Sequence, residues 1–159
     1  MDRVLTIGVY GWSPERWIAA LQAAGCDLVA DVRARRGVRG RECAFANRAR
    51  LEAALEEADI RYFHMPELAP SRAVRDAQMA ADAASGTRKR DRTVLGQIFV
   101  DGYQREVVDR VAWADVVKRL DGVAPALLCV ERLPTACHRS IAAGRLANIA
   151  NVPVEDLIP

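Results

Sequence analysis

No apolar run in these 159 residues approaches the ~20 needed to cross a bilayer, which excludes a membrane-spanning helix. The opening MDRVLTIGVYGW lacks the charged and apolar regions of a signal peptide and goes straight into a strand pattern, so a cytoplasmic protein is the expectation. Cysteine is too sparse and scattered for a disulfide framework. Cys26 and Cys43 stand alone, Cys129 and Cys137 flank one stretch, and reduced thiols follow. There is no Cys-x-x-Cys and no His-x-x-x-His. Cys129, Cys137 and His138 together offer a zinc ligand set, but the missing pair spacings argue against zinc, and no cofactor is expected. The Cys-x5-Arg spacing of a phosphatase loop is missing too: Cys129 lies too far from Arg139, and Cys137 too close. No internal repeat, linker or low-complexity tract breaks the chain, so residues 1–159 read as one domain.

A formal net charge of +2 is too small to point to a polyanionic partner. Of 23 basic residues only Lys89 and Lys118 are lysine; with the heavy use of alanine, this reads as genome composition rather than selection for phosphate. Locally the picture changes. Seven arginines (33, 35, 36, 39, 41, 48 and 50) face one acid, Glu42, between Arg33 and Arg50, and a second cluster, TRKRDR, covers Thr87 to Arg92. The first is either a solvated face or a track for a nucleic-acid backbone; the second reads as a solvated loop.

At 51% hydrophobic and 28% charged, the chain can bury a real core. Val4–Tyr10, Leu28–Val32, Ile60–Met65 and Ala126–Val130 are short β-branched or apolar runs that read as strands. Val152–Leu157 is a candidate edge strand, because Pro153 argues against a central position. Ser13 and Pro14 open a helix that Gly25 stops. Helical spacing also covers Asn47–Ala58, Ala73–Ala84, Val94–Leu120 (one or two helices) and Ala136–Ala150. Ala73–Ala84 has few large apolar residues and is expected on the surface.

Strands alternating with helices predict a three-layer α/β fold: a mostly parallel sheet of four or five strands with helices on both faces. Right-handed crossovers then bring the strand ends to one edge, where open sheets bind ligands. Tyr10, Trp12 and Ser13 follow the first strand, Asp31 and Arg33 end the second, and His64 and Glu67 end the third. The fourth strand runs into CVERLPTACHR, with Cys129, Glu131, Cys137, His138 and Arg139. Thr135 is a candidate N-cap that would put Cys137 and His138 in the first helical turn. Free N–H groups there favour an anion and lower a thiol pKa. Tyr103, four residues after Phe99, is a core ring or turns its hydroxyl to the site.

Three functional readings stand beside a purely structural one, in which Glu131 and Arg139 form a buried ion pair. The first is an anion pocket for a phosphate-bearing small molecule, nucleotide or nucleic-acid end. In it Arg33 and Arg139 bind charge and Arg39 closes over the ligand. Hydrolysis or group transfer there would use Glu131 or Asp31 as base and His138 as acid. The second is a non-catalytic nucleic-acid-binding or ligand-sensing module. The third is a redox or sulfur-transfer protein with Cys137 as nucleophile.

Five segments together carry a resemblance: TIGVYGWSPERW, DVR at Asp31–Arg33, YFHMPELA at Tyr62–Ala69, FVDGY at Phe99–Tyr103 and CVERLPTACHRSIAAGRL at Cys129–Leu146. In this order they resemble the uncharacterised family called domain of unknown function 488. The resemblance implies a compact α/β fold with a shared pocket and no particular activity. The family's loop after DVR often reads Pro-x-Ser-Arg before a Phe. Here Arg36 is near the Pro position, Val38 replaces Ser, Arg39 keeps the Arg, and the path to Phe45 is one residue longer.

Overall fold

A computed structural model describes residues 1–159. Five strands, β1 (Val4–Ile7), β2 (Leu28–Asp31), β3 (Arg61–His64), β4 (Pro125–Leu128) and β5 (Val154–Leu157), form one sheet in the order β3-β2-β4-β1-β5. Every neighbouring pair is parallel. The expected three-layer arrangement is present, and β5 is an edge strand, with Pro153 outside it.

Side-chain alternation along the strands builds two cores. Leu5, Ile7, Val29, Ala126 and Leu128 point to one face, where they meet Trp17 and Leu21 of α1 (Pro14–Ala23) and Leu51 and Leu55 of α2 (Arg48–Glu57). Leu28, Ala30 and Leu127 point to the other. There they meet α3 (Arg72–Ala84), α4 (Gln97–Tyr103), α5 (Trp113–Arg119) and α6 (His138–Ala150). Ser13 caps α1 by accepting the Arg16 N–H, Pro14 fills its first turn, and Gly25 ends it at φ +63°. Trp17 is fully buried, and its indole N–H donates to the Gly8 carbonyl at 2.8 Å, which fastens α1 to the tip of β1.

Several boundaries move. The chain leaves the ladder after Ile7 and Leu128, earlier than the apolar runs suggest, because those runs continue into buried loops. Thr135 lies in a 3₁₀ turn (Pro134–Ala136), and its hydroxyl donates to the Thr93 carbonyl instead of capping α6; Cys137 holds the cap position. Val94–Leu120 is two helices separated by a π turn at Gln104–Val108. α3 is not a surface helix throughout, since Val74, Gln78 and Asp82 are buried. No helix is long and apolar enough to cross a membrane.

The topology decides where a ligand can sit. Helices following β1 and β2 pack on one face, and those following β3 and β4 on the other. β4 lies between β2 and β1, so its exit loop diverges from both neighbours'. This is a switch point, and it opens a crevice at the β4 tip.

Candidate functional site

A cavity of about 500 Å³ occupies that crevice, a volume in the ordinary range for small-ligand sites. Arg33, Arg35 and Gly37 after β2, with Cys129, Glu131, Cys137 and His138 after β4, form its base. The sides come from α3 and from Lys89, Arg92, Leu95 and Phe99. A hollow of about 640 Å³ lies between α1, the Arg41–Ala46 turn and α2. Its lining contains no histidine and no buried charge, so the smaller cavity is the candidate site.

Its floor is the loop that the sequence singles out. The Cys129 N–H donates to the Ile7 carbonyl at 3.2 Å, and the Val130 carbonyl accepts the N–H groups of Val9 and Tyr10, each at 3.0 Å. The loop therefore stays laced to β1 after the strands end. His138, in the first turn of α6, donates from Nε2 to the Val32 carbonyl at 3.1 Å. That bond fixes the tautomer, and Nδ1 faces two thiols: Cys129 Sγ at 3.7 Å and Cys137 Sγ at 4.0 Å. All three donor atoms lie within 4.8 Å of one another. The Tyr103 ring closes the far side, 5.3 Å from the imidazole.

Electrostatics differentiate the thiols. Burial pushes the Cys129 thiol well up, and the adjoining Cys137 adds to it. Burial also pushes Cys137 up, but contacts from Cys129 and His138 and the Arg139 charge outweigh it, leaving Cys137 below the ordinary thiol range. Burial works against a charged His138, and the Cys137 contact more than offsets it, so its pKa is raised. Glu131 is raised, chiefly by burial. Its Oε2 accepts from Cys129 Sγ at 3.4 Å, while Oε1 meets Arg92 at 3.1 Å and Lys89 at 3.4 Å.

The two arginines expected to cradle an anion are otherwise engaged. Arg33 donates to both Asp31 oxygens and, at 2.9 Å, to the Ala46 carbonyl. It borders the cavity as half of an ion pair. Asp31 also accepts the Tyr62 hydroxyl at 2.6 Å and the Arg33 N–H, which leaves it no role as a free base. Arg139 is fully buried and does not pair with the Glu131 carboxylate. It spends its guanidinium on the Glu131 and Arg132 carbonyls (2.6 and 3.1 Å) and on Thr6 Oγ1 (3.3 Å). It is a clamp that shapes the loop.

Of the expected site residues, Arg33, Cys129, Glu131, Cys137 and His138 meet at the cavity. The others do not reach it. Tyr10 lies under the Arg90 guanidinium at 5.2 Å, and Trp12 lies near Arg16 at 5.8 Å, its indole N–H buried without a partner. Ser13 is the α1 cap. Arg39 is exposed, and its carbonyl accepts from Arg90. His64 Nε2 lies 3.0 Å from the Arg33 carbonyl, and Glu67 pairs with Arg119. His64 ends β3 and Glu67 follows it, and β3 is an edge strand separated from β4 by β2. The Tyr103 hydroxyl is turned away and donates to the Leu68 carbonyl at 2.7 Å.

Sequence reasoning missed Gln78, Asp82, Lys89 and Arg92. Gln78 donates to Asp82 at 2.7 Å, Asp82 accepts Arg92 at 2.7 Å, and Arg92 continues to Glu131. The TRKRDR segment is thus not simply solvated: Lys89 and Arg92 cross to the β4 loop. The available signal was Val74, Gln78 and Asp82 at four-residue spacing, one face of a helix.

Chemically, the floor combines thiol, imidazole and carboxylate within contact distance, under a mouth rich in cations. Neither the curated proteins nor the solved structures gave a match. The model of the family Domain of unknown function DUF488 matches residues 13–146, from the α1 cap to the middle of α6, and the chain belongs to this family.

Proposed function

We propose that the cavity at the β4 tip binds a phosphate-bearing small molecule and that the floor beneath it performs hydrolysis or group transfer on that molecule. One observation carries the reading: the charge balance of the lining. Six cations (Arg33, Arg35, Arg72, Arg75, Lys89 and Arg92) line the cavity against three acids (Asp76, Asp82 and Glu131). Arg33 is neutralised by Asp31, while Arg72, Lys89 and Arg92 are each matched to a lining acid. Arg35 and Arg75 have no ion-pair partner and are the cations left for a ligand. A guanidinium fork suits phosphate oxygens, and a mouth of one sign raises the local concentration of anions. Phe99, Leu95 and Met79 offer an apolar wall for the rest of a nucleotide-sized ligand. Glu131, next to the thiols and the imidazole, is the carboxylate placed to take a proton.

Calorimetric titration with adenosine 5′-monophosphate and with inorganic phosphate tests the reading. Both are expected to bind, the nucleotide more tightly. Replacing Arg35 and Arg75 together by Ala should weaken both by about tenfold or more, since a charge-assisted hydrogen bond contributes about 1.5–3 kcal/mol. Arg41→Ala, in the α1–α2 hollow, should change nothing. Absence of binding, or equal losses in the two sets of variants, would remove the anion reading.

A further inference from the structure

The reading above leaves the convergence of Cys129, Cys137 and His138 unexplained. Two thiols and an imidazole nitrogen lie within 4.8 Å of one another at the border of the cavity. We propose that these three residues form a binding site for a zinc-type divalent cation, with its fourth position open to the cavity.

The distances fit. Zinc bonds of about 2.3 Å to sulfur and 2.0–2.1 Å to nitrogen, at tetrahedral angles, give S···N edges of about 3.6 Å. The observed S···N edges are 3.7 and 4.0 Å, and the two sulfurs lie within 4.8 Å of each other against about 3.8 Å for two thiolates on one tetrahedral zinc, so closing onto a metal takes side-chain shifts of up to about 1 Å. The orientation fits as well. Metal-bound histidines donate their other ring N–H to a fixed acceptor, which sets the tautomer, and His138 donates Nε2–H to the Val32 carbonyl. All three ligands sit on held backbone: Cys129 is bonded to Ile7, and Cys137 and His138 begin α6 beside the Arg139 clamp. Both thiols are buried, at 5% and 1% exposure, yet they border the cavity, which supplies the entry path.

Charge closes without further residues. The dication replaces both thiol protons, which pass to solvent, and the two thiolates balance it while His138 stays neutral. Glu131 then loses the Cys129 S–H that it accepts. Its Oε2 is then free of that donor, with Oε1 still held by Arg92 and Lys89. A site with three protein ligands and one open position is of the catalytic rather than the structural kind. Missing Cys-x-x-Cys spacing is no obstacle, because the fold, not local sequence, joins the β4 exit to the start of α6.

The inference stands on donor geometry and survives failure of the anion reading. The test uses the full chain stripped with a chelator and then titrated with Zn²⁺ and Co²⁺. About one equivalent of metal per chain is expected, with two protons released. Cobalt should give thiolate-to-metal charge-transfer bands and the visible bands of a tetrahedral ion. Zinc should protect two of the four thiols from alkylation, and mass mapping should identify them as Cys129 and Cys137. Cys129→Ser and Cys137→Ser should each lower affinity by about tenfold or more, whereas Cys26→Ser and Cys43→Ser, in the opposite core, should not. Because a ligand variant can fail to fold, the wild-type titration decides alone: a folded chain without cobalt bands and with all four thiols unprotected overturns the proposal. Phosphate titration of the stripped protein reports on the anion reading separately.

Discussion

The Arg33 guanidinium lies side-on against the Asp31 carboxylate, with Nε 2.8 Å from Oδ1 and Nη2 2.7 Å from Oδ2. Asp31 is fully buried and Arg33 is 2% exposed. Asp31 gathers Tyr62 from β3, and the remaining Arg33 nitrogen holds the Ala46 carbonyl, so two charges pin the residue 33–47 loop to the sheet. Removing one partner strands the other in a dry site. Asp31→Asn is therefore expected to cost about 3–5 kcal/mol. In urea the midpoint should fall with the slope unchanged. A loss below about 1 kcal/mol would show that the pair does not anchor the loop.

What the sequence makes legible follows from which forces are local. Apolar runs such as Leu28–Ala30 and Ala126–Leu128 announce buried strands, and Ser13-Pro14 with Gly25 announces α1, because period and capping chemistry are properties of neighbours in the chain. The cysteine-histidine floor was legible in part, since Cys129, Glu131, Cys137 and His138 all fall within ten residues. The fate of the arginines was not. Whether Arg139 meets a ligand or the Glu131 carbonyl depends on how the loop folds back over β1. Whether Arg92 is solvated depends on Asp82 and Glu131, residues on different elements. Polar partners that far apart leave no periodic trace, and Gln78 and Asp82 look like a solvent face until the topology buries them.

Gly8 records how closely the tips of β1 and β4 approach. A Cβ there would lie 2.1 Å from the Glu131 carbonyl oxygen and 3.4 Å from Arg139 Nη1. Gly8→Ala must push that carbonyl off the Arg139 clamp. The expected cost is about 3 kcal/mol, at the upper end for overpacking. For a chain of this size that is a Tm drop of about 6–12 °C. Gly144→Ala is the control: it is exposed within α6 with nothing near its Cβ position, and it should gain about 0.5–1 kcal/mol. Scanning calorimetry of both variants reads the contrast, and equal shifts would contradict the close approach.

Tyr62 gives the fold an alkaline limit. Burial, reinforced by the hydrogen bond to Asp31 and its charge, pushes its phenol up to about 12 from an ordinary value of 10.0. The folded state thus holds this proton more tightly than the unfolded state. The associated stability is complete below about pH 10 and is lost as pH rises through about 12. Tyr62→Phe should be less stable at neutral pH by about 1 kcal/mol, the value of the lost hydrogen bond. Between those pH limits its urea midpoint should decline less steeply than that of the wild type. Parallel slopes would mean that Tyr62 ionises freely in the folded chain.

Salt dependence separates a cavity ligand from a nucleic-acid track. Of the seven arginines from Arg33 to Arg50, three are spent internally: Arg33 on Asp31, and Arg36 and Arg48 both on Glu52. Arg41 and Arg50 line the hollow between α1 and α2, away from Arg35 and Arg75 at the β4 cavity. The free cations therefore do not form one continuous stripe. A pocket engaging one phosphate should lose affinity with a log–log salt slope of about −1, whereas a track neutralising four phosphates on a duplex would give about −3.6. Adenosine 5′-monophosphate is expected to follow the shallow slope, with Arg35→Ala and Arg75→Ala weakening it and Arg39→Ala and Arg41→Ala leaving it unchanged. A duplex oligonucleotide that binds with the steep slope and is released by Arg39→Ala with Arg41→Ala would transfer the working surface to the loop after β2 and remove the cavity from its central place.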